Sequence, residues 1–321
     1  MTADAGPARK GTSRYPEPVL GIAAQFLRGF AMGCADVVPG VSGATVALAL
    51  GIYEPLVAAI RRFVAIGVAV ARLDGRRAAR EFRRAPWRFT LPLVAGIATA
   101  FLTLAHVIEA ALDRYPVELA ALFFGLVAGS IGVAWSRLRD RGGLDLALLL
   151  ASAGASFLAL GVRSGEVSDP AWWFVPLSGA LAICAMILPG ISGSFVLLML
   201  GMYEYMLGAL NNRDLPVVAL FAVGVAAGLA TFVPALEWML KRWHDRVLAA
   251  MIGLMLGSLR VVWPWPQGTD SAALGAPVWG DVPAAGVLAL GGALLVLGLA
   301  RWSARAQLPA PARRVRPVAG R

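Results

Sequence analysis

The sequence predicts an all-α integral membrane protein of two inverted five-segment repeats, each a re-entrant helical hairpin followed by three transmembrane helices. Three observations predict it: an apolar composition, one signature that recurs 150 residues later, and a one-sided distribution of Lys and Arg.

Of the 321 residues, 59% are hydrophobic and 15% charged, whereas soluble domains carry about 25% charged residues. Too few polar residues remain to cover a soluble protein of this size. The net charge is +10. Its Arg residues cluster between long apolar runs, which points to a membrane border and not to nucleic acid. Residues 1–18 read as a disordered cytoplasmic tail, because Arg9, Lys10 and Arg14 precede an apolar run that starts near Val19 without a small-residue cleavage site. Cys34 and Cys184 sit in apolar runs, with neither metal-ligand spacing nor a disulfide framework. No metal or cofactor is expected, and no nucleotide-binding glycine pattern or nucleophile elbow occurs.

The repeat sets the organisation. Residues 36–60 read DVVPGVSGATVALALGIYEPLVAAI and residues 186–210 read MILPGISGSFVLLMLGMYEYMLGAL, with 11 of 25 positions identical and no gap. A second block matches at an offset of 128, where Gly125-Leu126-x-x-Gly129-Ser130 meets Gly253-Leu254-x-x-Gly257-Ser258. Glycines four apart share one helix face and permit close helix packing. Apolar segments run over 19–38, 43–60, 90–112, 117–136 and 144–162, then over 171–188, 193–210, 215–240, 247–263 and 282–301. Several approach the ~20 residues a bilayer needs. The expected domains are repeat 1 at 19–165, repeat 2 at 166–302 and a basic cytoplasmic tail at 303–321. An odd number of crossings per unit inverts the second. Charge gives the same answer independently: with both termini in the cytoplasm, 24 of the 29 Lys and Arg fall on inside segments.

The P-G-x-S-G turn carries the candidate chemistry. Pro39 removes a backbone donor and ends a helix, and Ser42 is a strong N-cap for the next one. A helix N-terminus at membrane depth presents free N–H groups and a positive dipole end, which suits a phosphate. Gly40, Ser42, Gly43 and Thr45 in the first unit, with Gly190, Ser192, Gly193 and Ser194 in the second, are therefore the expected phosphate-binding set. Broken helices meeting near the midplane are a common way to build a transport site. The competing reading is that each turn only closes a tight hairpin.

Four charges are candidates for pairing or coupling. Arg28 lies roughly 16 Å before the first turn and Glu54 roughly 18 Å after Ser42, so the two are expected to pair across the hairpin. Glu204 faces Ser178, which offers no charge, and an unpartnered intramembrane carboxylate is a functional candidate. Tyr53-Glu54 and Tyr203-Glu204 read equally well as interfacial anchors. Asp36, with Met186 as its counterpart, is a candidate proton or cation ligand.

These residues resemble the paired signatures of the bacterial undecaprenyl-phosphate translocase family known as PopT, over about residues 20 to 302. The resemblance implies a flippase that recycles undecaprenyl phosphate from the outer to the inner leaflet of the cytoplasmic (inner) membrane for peptidoglycan and other envelope polymers. It implies a polyprenyl-phosphate lipid as substrate and no enzyme activity. A proton or cation co-substrate would offset the potential against an inward-moving anion. Family members commonly have Asn at the place of Asp36 and Gly at that of Ala44. Two alternatives are a polyprenyl-diphosphate phosphatase and a transporter of a small soluble anion. In the phosphatases a related turn continues Arg-Ser-Gly, and here Gly43 and Gly193 take the place of that Arg, so the cation expected to stabilise a leaving phosphate is absent.

Overall fold

A computed structural model of the chain describes residues 21–37, 41–139, 141–162, 165–267 and 273–306. The expected N-tail, Pro39, Gly40 and the C-tail beyond 306 lie outside the described residues. The described residues are helical apart from loops and one two-residue strand pair, β1 Pro266–Gln267 with β2 Ala273–Leu274.

The first unit contains α1 (Ile22–Asp36), α2 (Gly43–Leu50), α3 (Tyr53–Ala71), α4 (Gly75–Arg84), α5 (Trp87–Arg114), α6 (Pro116–Trp135) and α7 (Gly143–Ala159). The second contains α8 (Phe174–Ile187), α9 (Gly193–Met199), α10 (Tyr203–Asn211), α11 (Leu215–Arg242), α12 (His244–Ser258) and α13 (Val282–Ala306). Among the described residues, four helices, α5, α6, α11 and α13, are long and apolar enough to cross a bilayer, and a fifth span results if α9 and α10 count as one. The chain is thus an all-α, multi-pass membrane protein. α13 continues to Ala306, past the expected boundary at 302.

The second arm of each expected hairpin is not one helix. It breaks at Gly51 and again at Gly201, and α9 meets α10 at 112°. Both glycines adopt left-handed φ, +75° and +70°. That conformation ends a helix at a glycine and is strained for residues with a Cβ. The chain then restarts at Tyr53 and at Tyr203.

Glycine also sets how the helices dock. Buried backbones approach closely where a side chain is missing, the usual packing device inside membranes. A Cβ on Gly29 of α1 would lie 1.9 Å from the Leu93 carbonyl of α5. Its counterpart contact lies between α8 and α11, where a Cβ on Gly224 would lie 1.9 Å from the Pro176 carbonyl. The matched GLxxGS blocks do the same between units. Gly125 of α6 receives the Ala289 backbone of α13, and Gly253 of α12 receives the Leu149 backbone of α7. The fourth segment of each unit therefore packs on the fifth segment of the other.

These approaches make a quantitative expectation. Gly125→Ala would place its Cβ 1.8 Å from the Ala289 carbonyl, whereas Gly132 on the same helix has nothing within 4 Å. Gly125→Ala is expected to cost about 1–3 kcal/mol as an overpacking change. Gly132→Ala is expected to be neutral or slightly stabilising. Thermal unfolding of the two purified variants in one detergent checks this, and equal melting temperatures would contradict the packing.

Candidate functional site

The two turns meet inside the molecule. Thr45, buried in the first turn of α2, accepts a hydrogen bond at Oγ1 from the Gly190 N–H at 2.9 Å. The Ser42 hydroxyl donates to the Leu188 carbonyl at 3.5 Å. The Tyr53 hydroxyl donates to the Ile187 carbonyl at 3.0 Å. Three side chains of the first unit thus hold the end of α8 and the turn that follows it. Tyr53 is 2% exposed, so it is an internal tie and not a headgroup anchor. Gly190 has φ +90° and packs against the Met255 backbone, which a Cβ at this position would approach to 2.8 Å.

The turns are not chemically equivalent. At α2 the Asp36 Oδ1 accepts the Gly43 N–H at 2.6 Å. Ser42 caps the helix by accepting the Ala44 N–H at 3.2 Å, and its carbonyl accepts the Thr45 N–H at 2.9 Å. The three leading donors of α2 are therefore engaged, one by a carboxylate, the group a helix N-terminus favours. A Cβ on Gly43 would lie 2.3 Å from Asp36 Oδ2, so glycine is needed there for the approach of the chain's own acid.

At α9 no side chain caps the N-terminus. The expected cap by Ser192 does not form, because its hydroxyl pairs with that of Ser194 at 2.8 Å. Met186 stands where the first unit has Asp36, so no carboxylate reaches Gly193. Gly193 is buried, with 2.9 Å between a Cβ and the Ala182 carbonyl, while Ser194 is exposed. One helix start is occupied from within, and its counterpart has two hydroxyls and no side-chain cap.

The expected pair of Arg28 with Glu54 does not occur. Arg28 is 1% exposed and donates from Nη2 to Ser303 Oγ of α13 at 2.5 Å. Ser303 in turn donates to the Leu50 carbonyl at the end of α2 at 2.8 Å. The physical reason is the break at Gly51: α2 ends there, and Glu54 belongs to a separate helix, α3. Glu54 instead bonds His244 Nε2 at 3.1 Å, and His244 Nδ1 meets Asp245 at 3.0 Å. Arg137 of the loop after α6 donates to the Ala49 carbonyl at 2.8 Å. Arg137, Glu54, Tyr53 and His244 line a cavity of about 290 Å³. The Glu54 hydrogen bond, followed by that of Asp245, holds the His244 pKa above its ordinary value against the opposing effect of burial.

Glu204, the counterpart of Glu54, is exposed and has no ion-pair partner among the described residues. It lines a separate cavity of about 380 Å³ with Glu166, Asp214 and Asn212. Glu237 is buried near the end of α11 and pairs with Arg61 and Lys241.

Sequence reasoning missed Gln25, Arg137, His244 and Ser303. The partners of the last three lie up to 275 residues away, and no local pattern announces any of the four. The breaks at Gly51 and Gly201 did have a signal, a matched glycine followed two residues later by Tyr-Glu.

A family model described as undecaprenyl phosphate translocase-like matches residues 32–274. A curated polyprenyl-phosphate transporter of Vibrio cholerae serotype O1 (strain ATCC 39315 / El Tor Inaba N16961) is 41% identical over 244 residues, 75% of this chain and 78% of the relative. A polyprenyl-phosphate transporter of Staphylococcus aureus (strain NCTC 8325 / PS 47) is 29% identical over 256 residues, 74% of this chain and 85% of the relative. No solved structure matches the chain.

His244 gives the site a pH signature. A histidine whose pKa is raised on folding contributes stability that is complete below its ordinary pKa and lost as pH rises through the raised one. The melting temperature of the wild type is therefore expected to fall from about pH 6 to about pH 9 by more than that of His244→Gln. Parallel pH profiles in the same detergent would contradict the pairing with Glu54 and Asp245.

Proposed function

Because this chain belongs to the undecaprenyl phosphate translocase-like family, we propose that it moves undecaprenyl phosphate from the outer to the inner leaflet of the cytoplasmic membrane. The lipid carrier is thereby returned for envelope polymers such as peptidoglycan. The observation that carries this reading is the junction of the two broken hairpins through Thr45 and Gly190. One helix start there holds a carboxylate and the other is uncapped.

In this reading the two units are inverted, with both termini cytoplasmic. Support comes from the reciprocal packing of α6 on α13 and α7 on α12, and from the 24 of 29 Lys and Arg on inside segments. The uncapped start of α9, with the Ser192 and Ser194 hydroxyls, receives the phosphate first. Asp36 holds the corresponding place at α2 as an internal anion. Its protonation releases the Gly43 N–H, and the phosphate then takes the carboxylate's place beside Ser42 and Thr45. An anion moving inward works against about 2.3 kcal/mol per charge per 100 mV. Proton uptake at Asp36 offsets part of that, which makes a proton the co-substrate of this scheme. The polyprenyl tail stays in hydrocarbon throughout.

The protein acts in this reading as a carrier and not as a phosphatase. Gly43 and Gly193 stand where the phosphatases have arginine, so neither turn supplies the cation that phosphate release calls for.

Reconstituted protein is expected to move polyprenyl phosphate between leaflets without releasing inorganic phosphate. Replacing both Ser192 and Ser194 by Ala removes two hydrogen-bonding hydroxyls. It is expected to lower transport by an amount equivalent to about 1–3 kcal/mol, the scale of hydrogen bonds to a charged group. A stable, inserted Ser192→Ala/Ser194→Ala protein with unchanged transport would show the second turn to be structural only. Phosphate release by the wild type would favour the enzyme.

A further inference from the structure

Gln25 and Arg28 sit one turn apart on α1, each 1% exposed. Both polar atoms of the Gln25 amide, and Nε and Nη1 of Arg28, are fully buried without a hydrogen-bond partner among the described residues. Side chains three residues apart on a helix are neighbours, so these orphaned groups occupy one place in the molecule. Buried polar groups are nearly always satisfied, and each exception calls for an explanation. Arg28 is the sharper case, because its described partner is the neutral Ser303 hydroxyl. No carboxylate neutralises it among the described residues. The negative end of the α2 dipole, reached through Ser303 and the Leu50 carbonyl, compensates only in part.

Packing does not require these residue types. At the matching positions of the second unit, 150 residues on, stand Val175 and Ser178. Both are buried, and the Ser178 hydroxyl is satisfied by the Val175 carbonyl at 2.8 Å. The equivalent helix α8 docks on α11 as α1 docks on α5, with an apolar residue and a small hydroxyl in those places. A lone buried charge is destabilising where apolar residues fit. Beyond the one Arg28 nitrogen that Ser303 holds, the first unit therefore carries at this point a cation and an amide whose remaining polar groups its fold leaves unused.

We infer that Gln25 and Arg28 form a recognition pair for a phosphomonoester anion on the cytoplasmic half of the transport path. The inference rests on the transport reading above. Arg28 lies 8 residues before Asp36, about 12 Å along α1, on the side where α1 begins and α13 ends. Guanidinium and amide N–H groups are the donors that match phosphate oxygens. In the present state the pair is closed over by packing, and Ser303 of α13 holds one guanidinium nitrogen. A phosphate leaving the turns for the inner leaflet satisfies the remaining donors when α13 withdraws that hydroxyl. The uncompensated cation also favours movement of the anion toward the cytoplasmic side.

The test is binding to full-length protein in nanodiscs, with polyprenyl phosphate, neutral polyprenol and inorganic phosphate as three separate probes, beside the melting temperature of each ligand-free variant. Gln25→Leu and Arg28→Gln are expected to weaken polyprenyl phosphate binding about 10- to 100-fold, the effect of losing a hydrogen bond to a charged group. Arg28→Lys is expected to fall between them and the wild type. Ligand-free stability is expected to hold or rise in Gln25→Leu, which removes orphaned groups. A structural role would lower stability and leave binding by the folded protein unchanged. Gln25→Leu decides the matter if Arg28 variants do not fold. Wild-type affinity in a folded Gln25→Leu protein would overturn the inference while leaving the transport reading intact. A wild type that binds none of the probes would overturn both. Tight binding of inorganic phosphate alone, lost in Gln25→Leu, would support the anion pair and contradict the lipid as its source.

Discussion

The hydrogen bond from the Gly190 N–H to Thr45 Oγ1 is the joint on which the rest of this structure depends. Each hairpin is a helix that stops inside the apolar body of the protein, leaving backbone groups that lipid cannot satisfy. The two hairpins solve that problem for each other. Thr45 takes a donor from the second turn, and Ser42 and Tyr53 give donors to the carbonyls that end α8. Irregular backbone at membrane depth is tolerated where protein surrounds it. Here the partner protein is the other copy of the same unit.

A symmetric joint would have two equivalent sites, and the residues that break the symmetry are few. Asp36 against Met186 closes one helix start and leaves the other uncapped. Thr45 against Phe195 places the hydroxyl that links the turns on one side only. Arg28 and Gln25 against Ser178 and Val175 place a buried cation in one unit. Below the joint, Arg137 and the Ser303–Arg28 relay hold the last carbonyls of α2, so cations meet the negative end of a helix whose positive end meets Asp36. α2 is only eight residues long, and both of its ends are neutralised by side chains.

Much of the architecture was legible in the sequence because it is a matter of spacing. The 150-residue offset located the turns, and the four-residue glycine spacing located the faces of α6 and α12 that receive α13 and α7. Partner choice was not legible. The pairing of Arg28 with Glu54 assumed a straight second arm, and the left-handed glycines at 51 and 201 invalidate that assumption. Glu54 then finds His244, 190 residues away, and Arg28 finds Ser303, 275 residues away. Such contacts depend on how α12 and α13 return to the first unit, which no local pattern encodes. The different roles of Ser42 and Ser192 were equally hidden, since both occupy the same place in the same motif and differ only in what packs beside them.

The central claim is that two units meet turn to turn from opposite sides of the membrane, and sided labelling tests it most directly. In a Cys34→Ser/Cys184→Ser background, Arg80→Cys in α4 and Arg213→Cys before α11 are compared with a membrane-impermeant thiol reagent on intact and permeabilised cells. The account predicts that Arg213→Cys labels in intact cells and that Arg80→Cys labels only after permeabilisation. Labelling of both from the same side would contradict it.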